Sequence, residues 1–361
     1  MNDETPQSSS EQKSDRSSIA RTEFTFINQL RERVTLENLS SNPSLIAGIG
    51  DDAAIIRSAT GKNIVISTDM LVEDIDFRRE TTPPVLLGHK ALAVSLSDIA
   101  AMGARPRWSL LSVGVPEKLW CSDLVDAFYE GFFQLAQRYD VQLIGGDTSR
   151  APEKLVIDSI VLGECESGNA VLRAGAQPGD QLFVTGSLGG AAAGFRLVER
   201  GAQLPDQNAA TDSQSIDHLL LRQLRPEPRV GWGIVLGQEK LASAMIDLSD
   251  GLSSDVNHLC RESGVGAMIN AAEIPIDNFV RELCGRRALD PLQLALNGGE
   301  DFELLFSVKP QHVARLPKRV DGVPITHVGE IRYKSEGVRI SEASRVWELA
   351  PTGWDHFSRT Q

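Results

Sequence analysis

Short β-branched runs alternate with longer helical ones along most of this chain. Asn63-Ile-Val-Ile-Ser67, Trp108-Ser-Leu-Leu-Ser-Val113, Val141-Gln-Leu-Ile144 and Leu155-Val-Ile-Asp-Ser-Ile-Val161 have the length and residue content of strands. Between the first two, Val85, Leu92, Leu96 and Ile99 recur at helical spacing across Pro84 to Met102, and Gly103 is placed to stop that helix. A second helix is expected over Ser122 to Arg138, with Ser122 or Asp123 as its N-cap. The turn-rich Gln177-Pro-Gly-Asp180 then breaks the series. A new series follows: a strand Leu182-Phe-Val-Thr185, a Gly/Ala helix from Gly190, a polar insertion near Gln203 to Ser215, and strands at Ala244 to Leu248 and Glu303 to Val308. The pattern predicts two mixed α/β domains, 23–176 and 177–361. Before them, residues 1–22 are rich in Ser, Gln and acids without periodicity and read as a disordered tail.

Composition narrows the class. A length of 361 residues suits two domains, each able to bury a core. The 49 acidic against 36 basic residues leave a formal charge of −13, which argues against a general nucleic-acid binder and against an acidic membrane surface. No stretch reaches the roughly 18 apolar residues of a membrane span, and the N-terminus lacks an apolar leader core. Cys121, Cys165, Cys260 and Cys284 stand far apart with no C-x-x-C, so neither a disulfide framework nor a zinc ribbon is supported. A soluble protein of the reducing cytoplasm is expected.

The position of the acids says more than their number. Gly48-Ile-Gly-Asp-Asp52, Ser67-Thr-Asp69, Ser97-Asp98, Gly145-Gly-Asp147, Asp247-Leu-Ser-Asp250 and Asn297-Gly-Gly-Glu-Asp301 each put carboxylates beside Gly, Ser or Thr, with apolar sequence adjoining. Any one of them reads equally well as a turn or a helix cap. Asp98 is harder to explain so, because its helix neighbours Leu96, Ile99 and Ala100 are apolar and a carboxylate there needs a partner. Lys and Arg are sparse immediately beside the six segments. Carboxylates and hydroxyls without His or Cys suit a hard divalent cation, magnesium and not zinc. Glycines next to strand-end aspartates also let backbone amides approach an anion, so phosphoryl transfer is the leading reaction class. The familiar phosphate loops are missing: there is no G-x-x-x-x-G-K-[ST], no G-x-G-x-x-G after a strand, and no H-R-D or D-F-G pair. Gly231-Trp-Gly233 lies in a helical region and reads as packing. A non-catalytic acidic metal-binding protein is the rival class, although no D-x-[DN]-x-[DN]-G loop is present.

Six ordered segments resemble the thiamine-monophosphate kinase family: Gly48 to Ala53, Ser67 to Glu73, Lys90 to Gly103, Leu143 to Thr148, Ile246 to Leu252 and Gly298 to Leu304. The likeness runs from about residue 23 to Gly353-Trp-Asp-His-Phe357 and leaves out the tail. It implies the two-domain α/β fold of the aminoimidazole ribonucleotide synthetase superfamily, a homodimer whose N-terminal sheets pair into a barrel, and an active site in the cleft between domains. It implies direct transfer of the γ-phosphoryl group of ATP to thiamine monophosphate, with several Mg²⁺ ions and no phosphoenzyme. Carried over by motif, Asp52, Ser67, Thr68, Asp69, Asp98, Asp147, Asp247 and Asp250 would hold metal, and Gly146, Arg173 and Ser249 would contact ATP. Glu300 and Trp354 would contact the thiamine moiety. One position departs: the family's Leu-Val-Glu-Gly-Val-His-Phe is here Leu71-Val-Glu-Asp-Ile-Asp-Phe77, which puts Asp76 where a substrate-contacting His would stand. An ionised Asp76 would repel a substrate phosphate unless it bound through metal or water, or turned away.

Overall fold

The computed structural model describes residues 23–36, 42–204, 214–287 and 289–354; the expected tail and residues 205–213 of the polar insertion lie outside them. Helix α1 (Glu23–Leu36) precedes a six-stranded sheet made of β1 (Leu45–Ala47), β2 (Ala54–Arg57), β3 (Lys62–Val72), β4 (Arg105–Pro116), β5 (Gln142–Ala151) and β6 (Val156–Glu166). Its order is β1-β2-β3-β6-β4-β5, antiparallel except for the β4–β5 pair at the far edge. Helices α2 (Pro84–Ala101) and α4 (Asp123–Arg138) pack on one face, with the short α3 (Glu117–Trp120) between them in sequence. Ser122 caps α4, accepting from the Leu124 amide. Burial alternates strictly along β6: Ile157 and Val161 point into the core, while Ile160 and Leu162 face the side that no described element covers.

The second sheet contains β7 (Gln181–Thr185), β8 (Ala242–Asp247), β9 (Gly266–Asn270), β10 (Leu304–Val308), β11 (Arg319–Val320), β12 (Val323–Arg332), β13 (Val338–Glu342) and β14 (Arg345–Glu348). It runs β14-β13-β9-β12-β7-β10-β8, with β11 on β12. Around it lie α5 (Gly190–Glu199), α6 (Gln214–Leu224), α7 (Val230–Gln238), α8 (Leu252–Ser263), α9 (Asn278–Arg287) and α10 (Pro291–Asn297). No described helix is long and apolar enough to cross a membrane.

Helix α2 joins the two halves. It is buried nearly all round from Leu87 to Ala101, and Leu96 and Ile99 share one core with Trp232, Met245 and Phe306 of the second half. Close crossings need glycine. A Cβ on Gly131 of α4 would lie 1.7 Å from the Val85 carbonyl oxygen of α2, and one on Gly233 of α7 would lie 2.1 Å from that of Ala100. Gly231-Trp-Gly233 is therefore packing, as its helical setting suggested, and Trp232 donates its indole N–H to the Val323 carbonyl.

Two strands extend beyond the sequence expectation. Ser67-Thr68-Asp69 lies inside β3, which continues to Val72, and Gly145-Gly146-Asp147 lies inside β5, which continues to Ala151. Gly146 is not a turn residue: a Cβ there would lie 1.9 Å from the Leu111 carbonyl oxygen of β4, so its glycine permits close strand contact.

Candidate active site

Three chain segments bring carboxylates to one place beneath α2. Asp52 ends the Gly48–Asp52 loop, Asp98 lies in the last turn of α2, and Asp247 ends β8. Oxygen atoms of these three lie within 4.8 Å of one another. Ser67 on β3 donates to Asp98, Ser97 on α2 donates to Asp247 at 2.6 Å, and Asp69 on the same face of β3 lies against Ser95, Ser67 and Asp98. Arg173 enters from the segment joining the two sheets, its guanidinium forming an ion pair with Asp52 Oδ1 at 2.5 Å and its amide bonding Asp51.

One arginine among so many acids leaves the set short of positive charge. Burial, then the charges of Asp69, Asp247 and Asp52, push the Asp98 carboxyl well above the usual carboxylate range. Burial and Asp52 raise Asp247 to about 8, and burial raises Asp69 to about 6. Burial opposes the charge on Arg173, but Asp52, Asp247 and Asp51 outweigh it and raise its pKa. Asp52 Oδ2 and Asp69 Oδ2 are buried with no hydrogen-bond partner. Two such oxygens, in a cluster with only oxygen donors, fit hard divalent cations, which would satisfy both and relieve the repulsion.

Other residues of the implied metal set lie elsewhere. Thr68 points to the uncovered face of the sheet, where it donates to Asp158 at 2.7 Å. Asp147 pairs with Ser112, which pairs with Asp158, so it shares that uncovered face and lies three strands from β3, or about 14 Å at ordinary strand spacing. Within one chain neither it nor Gly146 reaches the Asp52–Asp98–Asp247 cluster. Asp250 belongs to a second group, its carboxylate lying with Asp255 and His258 within 4.8 Å. Asp255 accepts from the amides of Asp250 and Gly251 and so shapes that loop. Asp76 turns back on its own loop, where it accepts from the Val72 amide at 2.8 Å.

The two implied thiamine contacts, distant in sequence, are pinned to consecutive residues of this loop. The Glu300 amide donates to the Ser249 carbonyl and the Trp354 amide to the Asp250 carbonyl, at 2.8 and 3.2 Å. Glu300 holds a left-handed φ of 66°, unusual for a non-glycine residue and a mark of a position fixed by its surroundings. Its carboxylate receives Lys90 of α2 and Gln223 of α6. Next to it, Asp301 caps α5 through the amides of Gly189 and Ala191, and Glu303 is paired with Arg222 and Arg229. Sequence reasoning passed over Lys90, although a lone basic side chain in an apolar helix is the same signal that singled out Asp98.

Paired sheets joined through α2, with a buried acid cluster at the joint, define the class. The profile of the AIR synthase related protein N-terminal domain matches residues 50–165, and that of the C-terminal domain matches residues 177–340. The chain is a two-domain protein of this AIR synthase related class. The thiamine-monophosphate kinase of Bacillus subtilis (strain 168) is 37% identical over 340 residues, covering 93% of this chain and 99% of that protein. The Escherichia coli (strain K12) enzyme of the same name is 37% identical over 343 residues. A solved structure described as AaThiL complexed with AMPPCP and TMP aligns with a TM-score of 0.78 at 32% identity, covering 93% of this chain and 97% of that one. The chain belongs to the thiamine-monophosphate kinase family.

Proposed function

We propose that this chain transfers the γ-phosphoryl group of ATP directly to the phosphate of thiamine monophosphate, giving thiamine diphosphate and ADP. The observation that carries the reading is the buried cluster of Asp52, Asp98 and Asp247, all oxygen donors, in a member of this family. Asp52, Ser67, Asp69, Asp98 and Asp247 would hold Mg²⁺, which when bound supplies positive charge between the phosphates of donor and acceptor. Arg173, which pairs with Asp52, would meet phosphate oxygens beside that cluster, as would Ser249 on the adjacent loop. Glu300 and Trp354 would orient the thiamine end. An oxygen of the acceptor phosphate forms the new bond to the γ-phosphorus as the bond to the β–γ bridging oxygen breaks. That oxygen is already ionised near neutral pH, so the chain has no proton to remove, consistent with a cluster that lacks a His or Lys base.

The uncovered sheet face carries Ile56, Ile64, Ile66, Met70, Leu110, Ile160 and Leu162, an apolar surface of the kind that seeks a second copy. A homodimer formed through it would also explain Asp147 and Thr68, which lie on that face, and Gly146, which adjoins Asp147 on the edge strand; together they would complete a metal and ATP site across the interface. Four free thiols agree with a cytoplasmic setting.

The test is turnover of ATP, Mg²⁺ and thiamine monophosphate, followed as thiamine diphosphate, with an aminoimidazole precursor as the control substrate. Formation of thiamine diphosphate is expected; turnover of the control alone would return the assignment to the broader class.

A further inference from the structure

Lys90 is the one Lys or Arg in α2 and lies two turns before Asp98. Its side chain is 2% exposed, and its ammonium lies 2.6 Å from Glu300 Oε1, its one ion pair among the described residues. Burying an ammonium is costly, and a single partner does little more than offset it, so the pair is a poor device for stability alone. It is also asymmetric: the lysine end is sealed, whereas the Glu300 side chain is 31% exposed. Gln223 of α6 donates to Oε2, so both carboxylate oxygens are held from the interior. Each oxygen keeps further acceptor capacity, and the side chain is partly open to solvent.

We propose that Lys90 is a positioning residue, which with Gln223 aims the Glu300 carboxylate at the hydrogen-bond donors of the substrate's aminopyrimidine ring. The proposal rests on the reading of Glu300 as a substrate contact. Its physical logic lies in α2. The same helix carries Asp98, and Ser97 bonded to Asp247, at one end, and Lys90 bonded to Glu300 two turns away. One rigid element thereby sets the ring-binding carboxylate relative to the cluster where phosphates react. The contact holds the ring end alike before and during the reaction, so its loss belongs in substrate binding and not in the chemical step.

Steady-state kinetics of the full-length chain test this with Lys90→Met, Lys90→Gln, Lys90→Arg and Glu300→Gln. The neutral Lys90 variants should raise KM for thiamine monophosphate about tenfold, with kcat and KM for ATP within about threefold of wild type. Lys90→Arg should recover part of that loss, and Lys90→Met should add less than about twofold in a Glu300→Gln background. An unmoved KM for thiamine monophosphate, or effects of Lys90→Met and Glu300→Gln that multiply, overturns the proposal. Failure of both neutral variants to fold overturns it as well, by making Lys90 a strut of the fold. Wild-type protein that forms no thiamine diphosphate defeats the functional reading itself, whereas active wild type with unmoved Lys90→Met kinetics defeats this proposal alone.

Discussion

A carboxylate buried among carboxylates keeps its proton until a cation displaces it, and Asp98, pushed well above the usual carboxylate range, is such a case. For Asp69, Asp98 and Asp247 the folded pKa lies above the unfolded value, so the unfolded chain releases protons first. Metal-free protein should therefore lose stability as pH rises from about 4, the ordinary Asp pKa, toward the value of about 8 at Asp247. Melting curves in chelator across that range check the sign, and added Mg²⁺ should flatten or reverse the slope because ligands must be deprotonated to bind. Asp98→Asn separates the two roles of the residue. The metal-free variant should lose stability less steeply as pH rises, because one of the raised carboxyls no longer titrates, while turnover falls at least about a hundredfold. At this scale the acids were legible because each lies in a local context of Gly, Ser or apolar residues. Their partners were not: Arg173 reaches Asp52 and Lys90 reaches Glu300 across the fold, so scarcity of cations beside each motif said nothing about pairing. The same limit applies to Asp147, whose motif is local but whose face and strand are decided by sheet order.

Helix α2 is the element on which the site depends, because it supplies Asp98, Ser97 and Lys90 and is the shared wall of both halves. Its seat against α4 leaves no room for a methyl group. Gly131→Ala should push the helices apart and destabilise the protein by about 1–3 kcal/mol. If α2 moves, Mg²⁺ affinity should fall with it, measured by calorimetry on the folded variant; full affinity in a destabilised protein would detach the helix seat from the metal site. The sequence made α2 and α4 readable through apolar spacing and the Ser122 cap, and Gly103, at φ 69°, follows the helix it was expected to stop. It misplaced the ends of β3 and β5 because Gly-Asp and Ser-Thr-Asp carry turn chemistry whose use depends on the neighbouring strand.

At the scale of the molecule, the uncovered sheet face and the far placement of Asp147 give one testable arrangement. Mixed dimers of Asp52→Asn and Asp147→Asn subunits distinguish it: if Asp147 serves the partner's cluster, each heterodimer keeps one intact site, and random mixing should restore about a quarter of wild-type activity. If Asp147 acts within its own chain, mixing restores nothing. A different consequence follows from the carboxyl-terminal segment. Thr352 bonds Asn297, Gly353 bonds Ser254, and Trp354 bonds the Asp250 carbonyl, so the last described residues wrap the loop that presents Glu300. A chain growing from the ribosome cannot seat Asp247 until β10, the strand that β8 pairs with, has emerged, and by then fewer than fifty residues remain before Trp354. The acid cluster and the loop that carries Glu300 would thus be completed close together and late, and an extension fused to the carboxyl end would burden the part of the fold that is built last.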